Sequence, residues 1–197
     1  MTSPRIAVIL PTLGQKDLLL RFLASMEKQT YPLEKIEVII VNDSPTSEIA
    51  KELKKWVKRH SRRLIIKLIN NKVNLGYAGA ANKGIKSIKR DFYFVSNDDV
   101  VLEKNCFNNL IKTALGNKKI GILGPRIYCW PQKNKISPQD MPGFGSDFFW
   151  GKARSLSVKK LARLKKPLRV DWVSGSGMMI KKEVIEKVGL FDERLGW

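Results

Sequence analysis

Two neighbouring carboxylates, Asp98 and Asp99, follow an apolar run that ends at Val95. Adjacent acids repel each other unless a cation lies between or beside them. A hard divalent ion such as Mg²⁺, itself bound to a diphosphate, is a natural partner for such a pair. Asn and Asp are also common in polar turns, so the sequence Asn97-Asp98-Asp99 by itself leaves both interpretations open.

Other polar residues also follow apolar runs. Asp43 follows the second run, one residue beyond Asn42, at a place where a carboxylate can accept hydrogen bonds from a nucleoside base or a ribose hydroxyl. A turn or a helix cap explains Asp43 equally well. The segment Asn74–Asn82 contains glycines and alanines that let a ligand approach the backbone closely, at the start of a predicted helix that favours an anion. It matches neither a Walker loop nor a G-x-G-x-x-G sequence.

An aromatic residue, Trp172, precedes the turn Gly175-Ser176-Gly177. Trp172 can stack on the face of a sugar, and the turn can leave room for an acceptor. A buried tryptophan beside a tight turn is the simpler explanation of this segment taken alone.

Strand and helix signals alternate along the chain. Strands are predicted at Ile6–Leu10, Ile36–Val41, Leu64–Ile69, Phe92–Val95, Ile120–Leu123, Val170–Val173 and Met178–Lys181. Helices are predicted at Asp17–Lys28, from Ser44 and Pro45 to His60, at Ala78–Ile88, Glu103–Leu115 and Glu183–Val188, with a short one near Ser157–Leu164. The first strands lack polar alternation, which predicts burial on both faces in a mostly parallel sheet flanked by helices, an α/β domain. Ligands bind at the carboxyl ends of strands in such sheets, where the polar residues above are expected.

The composition is that of one soluble globular domain of 197 residues with 43% apolar residues. The longest apolar runs are far shorter than the roughly 20 residues of a transmembrane helix, and no secretory leader is expected before the first strand. Cys106 and Cys129 are expected to be free thiols in the cytoplasm, and His60 a solvated residue, which argues against zinc chemistry.

The charge is the unusual property of the composition. The chain has 37 basic and 18 acidic residues, a net charge of +19. Lys51–Lys72 holds nine basic residues and one acid, and Gly151–Val170 holds eight basic residues and no acid. Such a balance predicts an anionic partner: nucleic acid, an anionic membrane face or a phosphorylated small molecule. A lysine-rich surface of a heat-adapted protein is the alternative.

Taken together in order, five motifs resemble family-2 glycosyltransferases, most closely the rhamnosyltransferase-like branch. The resemblance extends from Ile6 to Glu193. The motifs are Val8-Ile9-Leu10-Pro11-Thr12, Val41-Asn42-Asp43-Ser44, Asn74–Ile85, Ser96-Asn97-Asp98-Asp99-Val100, and Gly177–Val184 continuing to Gly189-Leu190-Phe191-Asp192-Glu193.

The resemblance implies a GT-A fold and an inverting transfer of sugar from a nucleotide diphosphate donor. It implies a nucleotide-sugar-binding half at 1–125 and an acceptor-side half at 126–197. For the donor, it assigns the nucleotide pocket to Pro11 and Thr12, the base to Asp43, the donor loop to Gly76 and Asn82, and the Asp-x-Asp position to Asn97-Asp98-Asp99. Within that position, Asp99 is the expected ligand of Mg²⁺ or Mn²⁺, and Asn97 and Asp98 are expected donor contacts.

On the acceptor side, the resemblance assigns Gly175, Ser176 and Gly177 to shaping the site. A carboxylate must also act as general base on the acceptor hydroxyl. The family places that acid shortly after the Phe-Asp-Glu segment, so we expect it beyond Trp197 and assign no catalytic residue. We therefore expect this chain to be either a fragment of a longer enzyme, truncated at its C-terminus, or an impaired enzyme.

Two other functions agree with single features of the sequence. A sugar nucleotidylyltransferase requires a glycine-rich basic loop after the first strand, and Pro11–Lys16 is a poor version of one. A nucleic-acid-binding domain would explain the charge, but no nucleic-acid motif accompanies it. For the basic run Gly151–Val170, the sequence also suggests docking on an anionic membrane face that carries a lipid-linked acceptor.

Overall fold

The computed structural model describes residues 3–45, 47–60, 64–126, 167, 169–170 and 173–195. Strands and helices alternate through most of this part. They are β1 (Ile6–Thr12), α1 (Lys16–Met26), β2 (Ile36–Asn42), α2 (Ser47–His60), β3 (Ile65–Asn70), α3 (Gly76–Lys86), β4 (Phe92–Val95), α4 (Cys106–Gly116), β5 (Ile122–Leu123), β6 (Met178–Lys181) and α5 (Lys182–Val188). None of these helices combines the length and the hydropathy that a bilayer span requires.

The strands form one mixed sheet in the order β3-β2-β1-β4-β6-β5. The first four strands are parallel, with β1 between β2 and β4, whereas β6 runs antiparallel to both β4 and β5. The predicted α/β fold with a mostly parallel sheet is therefore confirmed.

Alternate side chains of the central strand face opposite layers of helices. Every residue of β1 is buried. Val8 lies in a core cluster with residues of α1, α2 and α4, including Phe22 and Phe107. Ile9 lies in a second cluster with residues of α3, such as Ala80, against which α5 also packs. Helices cover both faces of the centre of the sheet, which is why the central strands consist almost entirely of apolar residues.

The first strand is longer than predicted, since β1 continues through Pro11 to Thr12. Proline is tolerated here because β4 pairs with β1 only as far as Ile9, so β1 has a single strand neighbour at Pro11. The second helix starts later than predicted, at Ser47. The Asn42 side chain accepts a hydrogen bond from the Ser44 backbone N–H at 3.1 Å, which prolongs the turn after β2.

Two strand predictions were wrong in part. The third strand, predicted to be buried on both faces, forms an edge of the sheet, and Ile65 at its start is 52% exposed. Val170 and Val173 belong to no strand, and the two residues between them lie outside the described residues. The predicted helix near Ser157–Leu164 and Cys129 also lie outside the described residues.

Candidate active site

Polar residues from neighbouring strands meet at the carboxyl edge of the sheet. Thr12 pairs in register with Asn42, and Asn42 pairs with Asn70. Beyond the strand ends, the Asp43 N–H donates to the Thr12 carbonyl at 2.8 Å, and the Asn71 N–H donates to the Asn42 carbonyl at 2.9 Å. The chain segments that leave β1, β2 and β3 are therefore tied together before they separate into loops.

The Thr12 hydroxyl connects this edge to the acid pair. It donates a hydrogen bond to Oδ2 of Asp98 and accepts one from the Gly14 N–H at 2.9 Å. Thr12 is only 4% exposed, and its neighbour Pro11 is also buried. Thr12, one of the two residues predicted to line the nucleotide pocket, thus contacts the acid pair, although it is 86 positions away in sequence from Asp98.

Asp98 and Asp99 differ in their surroundings. Asp98 is half-buried and Asp99 is exposed. Burial raises the pKa of the Asp98 carboxyl, the hydrogen bond from Thr12 opposes this rise, and the charge of Asp99 adds to it. An anionic Asp98 is therefore disfavoured here, and a nearby cation would stabilise it.

The turn at 174–177 lies against the other side of the acid pair. The Ser96 hydroxyl donates to the Ser176 carbonyl at 2.9 Å, and the Asn97 amide donates to the Ser176 hydroxyl at 3.3 Å. A Cβ placed on Gly177 would lie 3.0 Å from Cγ of Pro125, so a side chain at this position would require the proline ring to shift. Residues predicted for the donor and acceptor sides are therefore in direct contact through Asn97 and Ser176.

Asp43 anchors the loop that precedes α3. Its side chain is 3% exposed, and Oδ1 accepts hydrogen bonds from the Asn71 amide at 2.7 Å and from the Leu75 N–H at 2.9 Å. Gly76 then opens α3 with a φ of 70°, a backbone conformation that glycine adopts without strain. The predicted contact of Asp43 with a base stays a prediction, while the structure shows Asp43 organising the loop.

Tyr77 connects α3 to the turn on the predicted acceptor side. Its hydroxyl donates to the Gly175 carbonyl at 2.7 Å, and burial raises its pKa, so it stays a neutral donor. A Cβ on Gly175 would lie 2.9 Å from the Tyr77 hydroxyl oxygen. A side chain at position 175 would therefore displace the Tyr77 ring and its hydrogen bond.

Asn82 makes its side-chain hydrogen bonds to a segment outside the predicted site. It is 2% exposed, and its side chain binds the segment that follows α5, at Phe191 and Glu193. Trp172 lies outside the described residues. The roles of all these residues in binding stay predictions.

Three further residues of this region were not singled out from the sequence. Asn71 follows the end of β3 directly, so the strand-end argument that selected Asp43 would also have found it. Ser96 holds the same position after β4. Tyr77 had no such signal, because its partner Gly175 is 98 positions away.

The acid pair suits a metal ion that the substrate helps to hold. Within the described ranges, no group of three or more His, Cys, Asp or Glu side chains could hold a metal alone. Mg²⁺ characteristically binds one or two carboxylates and completes its shell with phosphate oxygens and water. An exposed Asp99 next to an oriented Asp98 offers that arrangement, so these residues fit a divalent ion bound together with a diphosphate.

Comparison with known proteins identifies the family. Residues 7–189 match the model of Glycosyl transferase family 2. The chain belongs to this family. Its relatives include the processive diacylglycerol beta-glycosyltransferase of Mycoplasma pneumoniae, 30% identical over 142 residues, covering 70% of this chain and 40% of that protein. They also include the N-acetylglucosaminyl-diphospho-decaprenol L-rhamnosyltransferase of Mycobacterium tuberculosis, 25% identical, covering 88% of this chain and 60% of that protein.

Solved structures of this family's fold are similar to the chain. The mannosyltransferase PcManGT from Pyrobaculum calidifontis, in complex with GDP-Man and Mn²⁺, superimposes with a TM-score of 0.69 at 20% identity. That alignment covers 98% of this chain and 49% of the other. Staphylococcus aureus TarS in complex with UDP has a TM-score of 0.66 at 18% identity, covering 98% and 51%. The family and the GT-A fold predicted from the motifs are confirmed.

The glycosyltransferase chain spans only part of these relatives, 40% of the first and 60% of the rhamnosyltransferase. The matched part contains both predicted halves of the site, because the family match includes the strand ends of β1 to β4 and the turn at 174–177.

Proposed function

We propose that this chain transfers a sugar from a nucleotide diphosphate donor to a glycan or lipid-linked acceptor of the cell surface, with inversion and with a divalent metal. The observation that carries the proposal is the hydrogen bond from Thr12 to Asp98, which joins the acid pair to the carboxyl end of β1. The family match supports the reaction class. Similar structures in complex with GDP-Man and Mn²⁺, UDP and UDP-GlcNAc support the donor class.

The donor residues would act on the charge that the leaving group acquires. Negative charge builds on the departing nucleoside diphosphate, and a bound Mg²⁺ or Mn²⁺ neutralises it. Asp99 supplies an exposed carboxylate for that ion, and Thr12 fixes the orientation of Asp98 beside it. The N-terminus of α3, which begins at Gly76, adds backbone N–H groups that favour phosphate oxygens.

The turn at 174–177 would hold the acceptor near the donor sugar. Ser96 and Asn97 bind Ser176, so the turn and the acid pair form one continuous surface. Because the contact is direct, a shift of the turn would move the acceptor relative to the metal.

The substitution Asp99→Ala tests the metal role. We expect a panel of UDP-, dTDP- and GDP-sugars with Mn²⁺ to include at least one ligand detectable by calorimetry. Asp99→Ala should weaken its binding by about tenfold or more, since a lost charged ligand is worth about 1.5–3 kcal/mol. Chelation of the metal should have a similar effect on the unsubstituted protein.

Glu34→Ala is the matched control, because Glu34 is an exposed acid that precedes β2 at the opposite edge of the sheet. It removes the same charge and should leave the affinity unchanged. The proposal is wrong if no nucleotide sugar in the panel binds, or if both substitutions weaken binding equally.

We also propose that the protein works in the cytoplasm, at an anionic membrane face where a lipid-linked acceptor resides. The eight cations of Gly151–Val170, without a single acid, support this location.

A further inference from the structure

The Asn82 side chain makes three hydrogen bonds to one short segment. Its Oδ1 accepts from the Phe191 N–H at 2.9 Å, and its Nδ2 donates to the Phe191 carbonyl at 2.8 Å. Nδ2 also donates to Oε1 of Glu193 at 2.8 Å. The amide therefore binds both backbone groups of Phe191, as a neighbouring strand would, together with the carboxylate of Glu193.

These bonds are specific to an amide side chain. The side chain at position 82 must accept a hydrogen bond from the N–H of Phe191 and donate to its carbonyl and to the carboxylate of Glu193. An ionised aspartate can only accept, and alanine can do neither. Asn82 is only 2% exposed, so water would not easily replace the lost partners. Phe191 is also held by apolar contact, because it packs against the core cluster that contains Ala80 and Ile85.

The segment ends beside the start of α3. A Cβ built on Gly79 would lie 2.9 Å from Cβ of Leu75 and 3.6 Å from Oε2 of Glu193. Glu193 therefore lies over the first turn of α3. That turn follows the β3–α3 loop, residues 71–75, whose Leu75 N–H is bound by Asp43.

We propose that Asn82 is a positioning residue, which fixes Phe191 to Glu193 over the first turn of α3 and does not itself touch the donor. We call the hydrogen bonds of Asn82 to Phe191 and Glu193 the clamp. Through the clamp, α3 aligns the loop at residues 71–75 with an acidic segment more than a hundred positions away. The link to the donor rests on the proposed function, while the hydrogen bonds of Asn82 are a property of the fold.

Hydrogen exchange and nucleotide binding test the proposal on the full chain. Asn82→Asp keeps an acceptor for the Phe191 N–H but places a carboxylate against the Phe191 carbonyl and Glu193. We expect amide exchange in residues 190–195 to rise by about tenfold or more, as for the loss of two hydrogen bonds. Because Asn82 acts on the donor loop only through this segment, the affinity for the nucleotide sugar identified in the panel should fall only when exchange at 190–195 rises.

The double substitution Asn82→Asp with Glu193→Gln is the decisive rescue. The glutamine amide can donate to the new carboxylate and removes the repulsion at position 193, so part of the lost protection should return, while the carboxylate still faces the Phe191 carbonyl. Tyr77→Phe is the control from the same helix, since it removes the bond to Gly175 and should raise exchange at 174–177 only. If Asn82→Asp does not fold, Asn82→Ala gives the same local comparison without a buried charge.

Two results would overturn the proposal. One is a loss of nucleotide affinity in Asn82→Asp or Asn82→Ala without faster exchange at 190–195, which would make Asn82 a donor contact. The other is faster exchange throughout the sheet that Glu193→Gln does not reverse, which would give Asn82 only a general stabilising role. Failure of the proposed function shows separately, as absence of nucleotide binding by the unsubstituted protein, and leaves the exchange results unaffected.

Discussion

Thr12 shows how one side chain can serve both the fold and the site. Its hydroxyl accepts from the Gly14 N–H and donates to Asp98, so it stabilises the turn after β1 and orients the acid at the same time. A β-branched residue also suits the last position of a buried strand. Serine would supply the same hydroxyl with less packing, and valine the same shape without the hydroxyl.

We therefore predict that Thr12→Val lowers the free energy of unfolding by about 1–3 kcal/mol, because Asp98 and the Gly14 N–H each lose a partner in a partly buried place. Thr12→Ser should cost about 1 kcal/mol, the value of a buried methyl group. Urea unfolding of the two variants measures the difference. Equal losses would show that the hydroxyl contributes nothing and that packing alone matters.

At the level of elements, α3 lies unusually close to the sheet. A Cβ on Gly84 would lie 2.5 Å from Cγ2 of Ile9 and 3.1 Å from Cγ2 of Val41. Ile9 and Val41 are fully buried branched side chains on adjacent strands, so neither can easily move away. The close approach also brings Tyr77 and Asn82 on the same helix to their distant partners.

We predict that Gly84→Ala destabilises the protein by about 1–3 kcal/mol, the usual cost of overpacking a core. This would occur despite the higher helix propensity of alanine. Gly116→Ala is the matched control, since Gly116 ends α4 and nothing lies within 4 Å of its added Cβ. It should be neutral or slightly stabilising by thermal melting. A stabilising Gly84→Ala would contradict the close packing of α3.

The strands and the position of the site could be predicted from the sequence for one reason. Uninterrupted apolar runs such as Ile6–Leu10 specify buried parallel strands, and parallel strands align their carboxyl ends. The exposure of β3 could not be predicted, because its sequence is as apolar as that of β2 and only the strand order makes it an edge.

The hydrogen-bond partners of the site residues also could not be predicted from the sequence. Thr12 and Asp98 are 86 positions apart, and Asn82 and Phe191 are 109 positions apart. The family resemblance implies that Asn82, within the segment Asn74–Asn82, belongs to the donor loop. Only the packing of α3 shows which of its side chains face the C-terminal segment.

At the level of the whole molecule, the positive charge has two separate concentrations. The described helix α2 carries four exposed lysines, at positions 51, 54, 55 and 58. Glu52 on the same helix pairs with Lys16 at 2.9 Å. The run Gly151–Val170 carries eight cations without a neutralising acid. If binding to a membrane depends on one local surface, removing the lysines of one region should weaken binding more than removing those of the other.

We predict that the protein floats with anionic vesicles and not with neutral ones, and that added salt releases it. Each lysine near an anionic surface contributes about 1 kcal/mol, so changing Lys159, Lys160, Lys165 and Lys166 to Gln should reduce binding far more than tenfold. The same change at the four α2 lysines removes an equal charge and should have a smaller effect. Equal losses would assign the attraction to net charge instead of a docking surface. Equal flotation with neutral vesicles would rule docking out, because a neutral bilayer offers no charge for the lysines to bind.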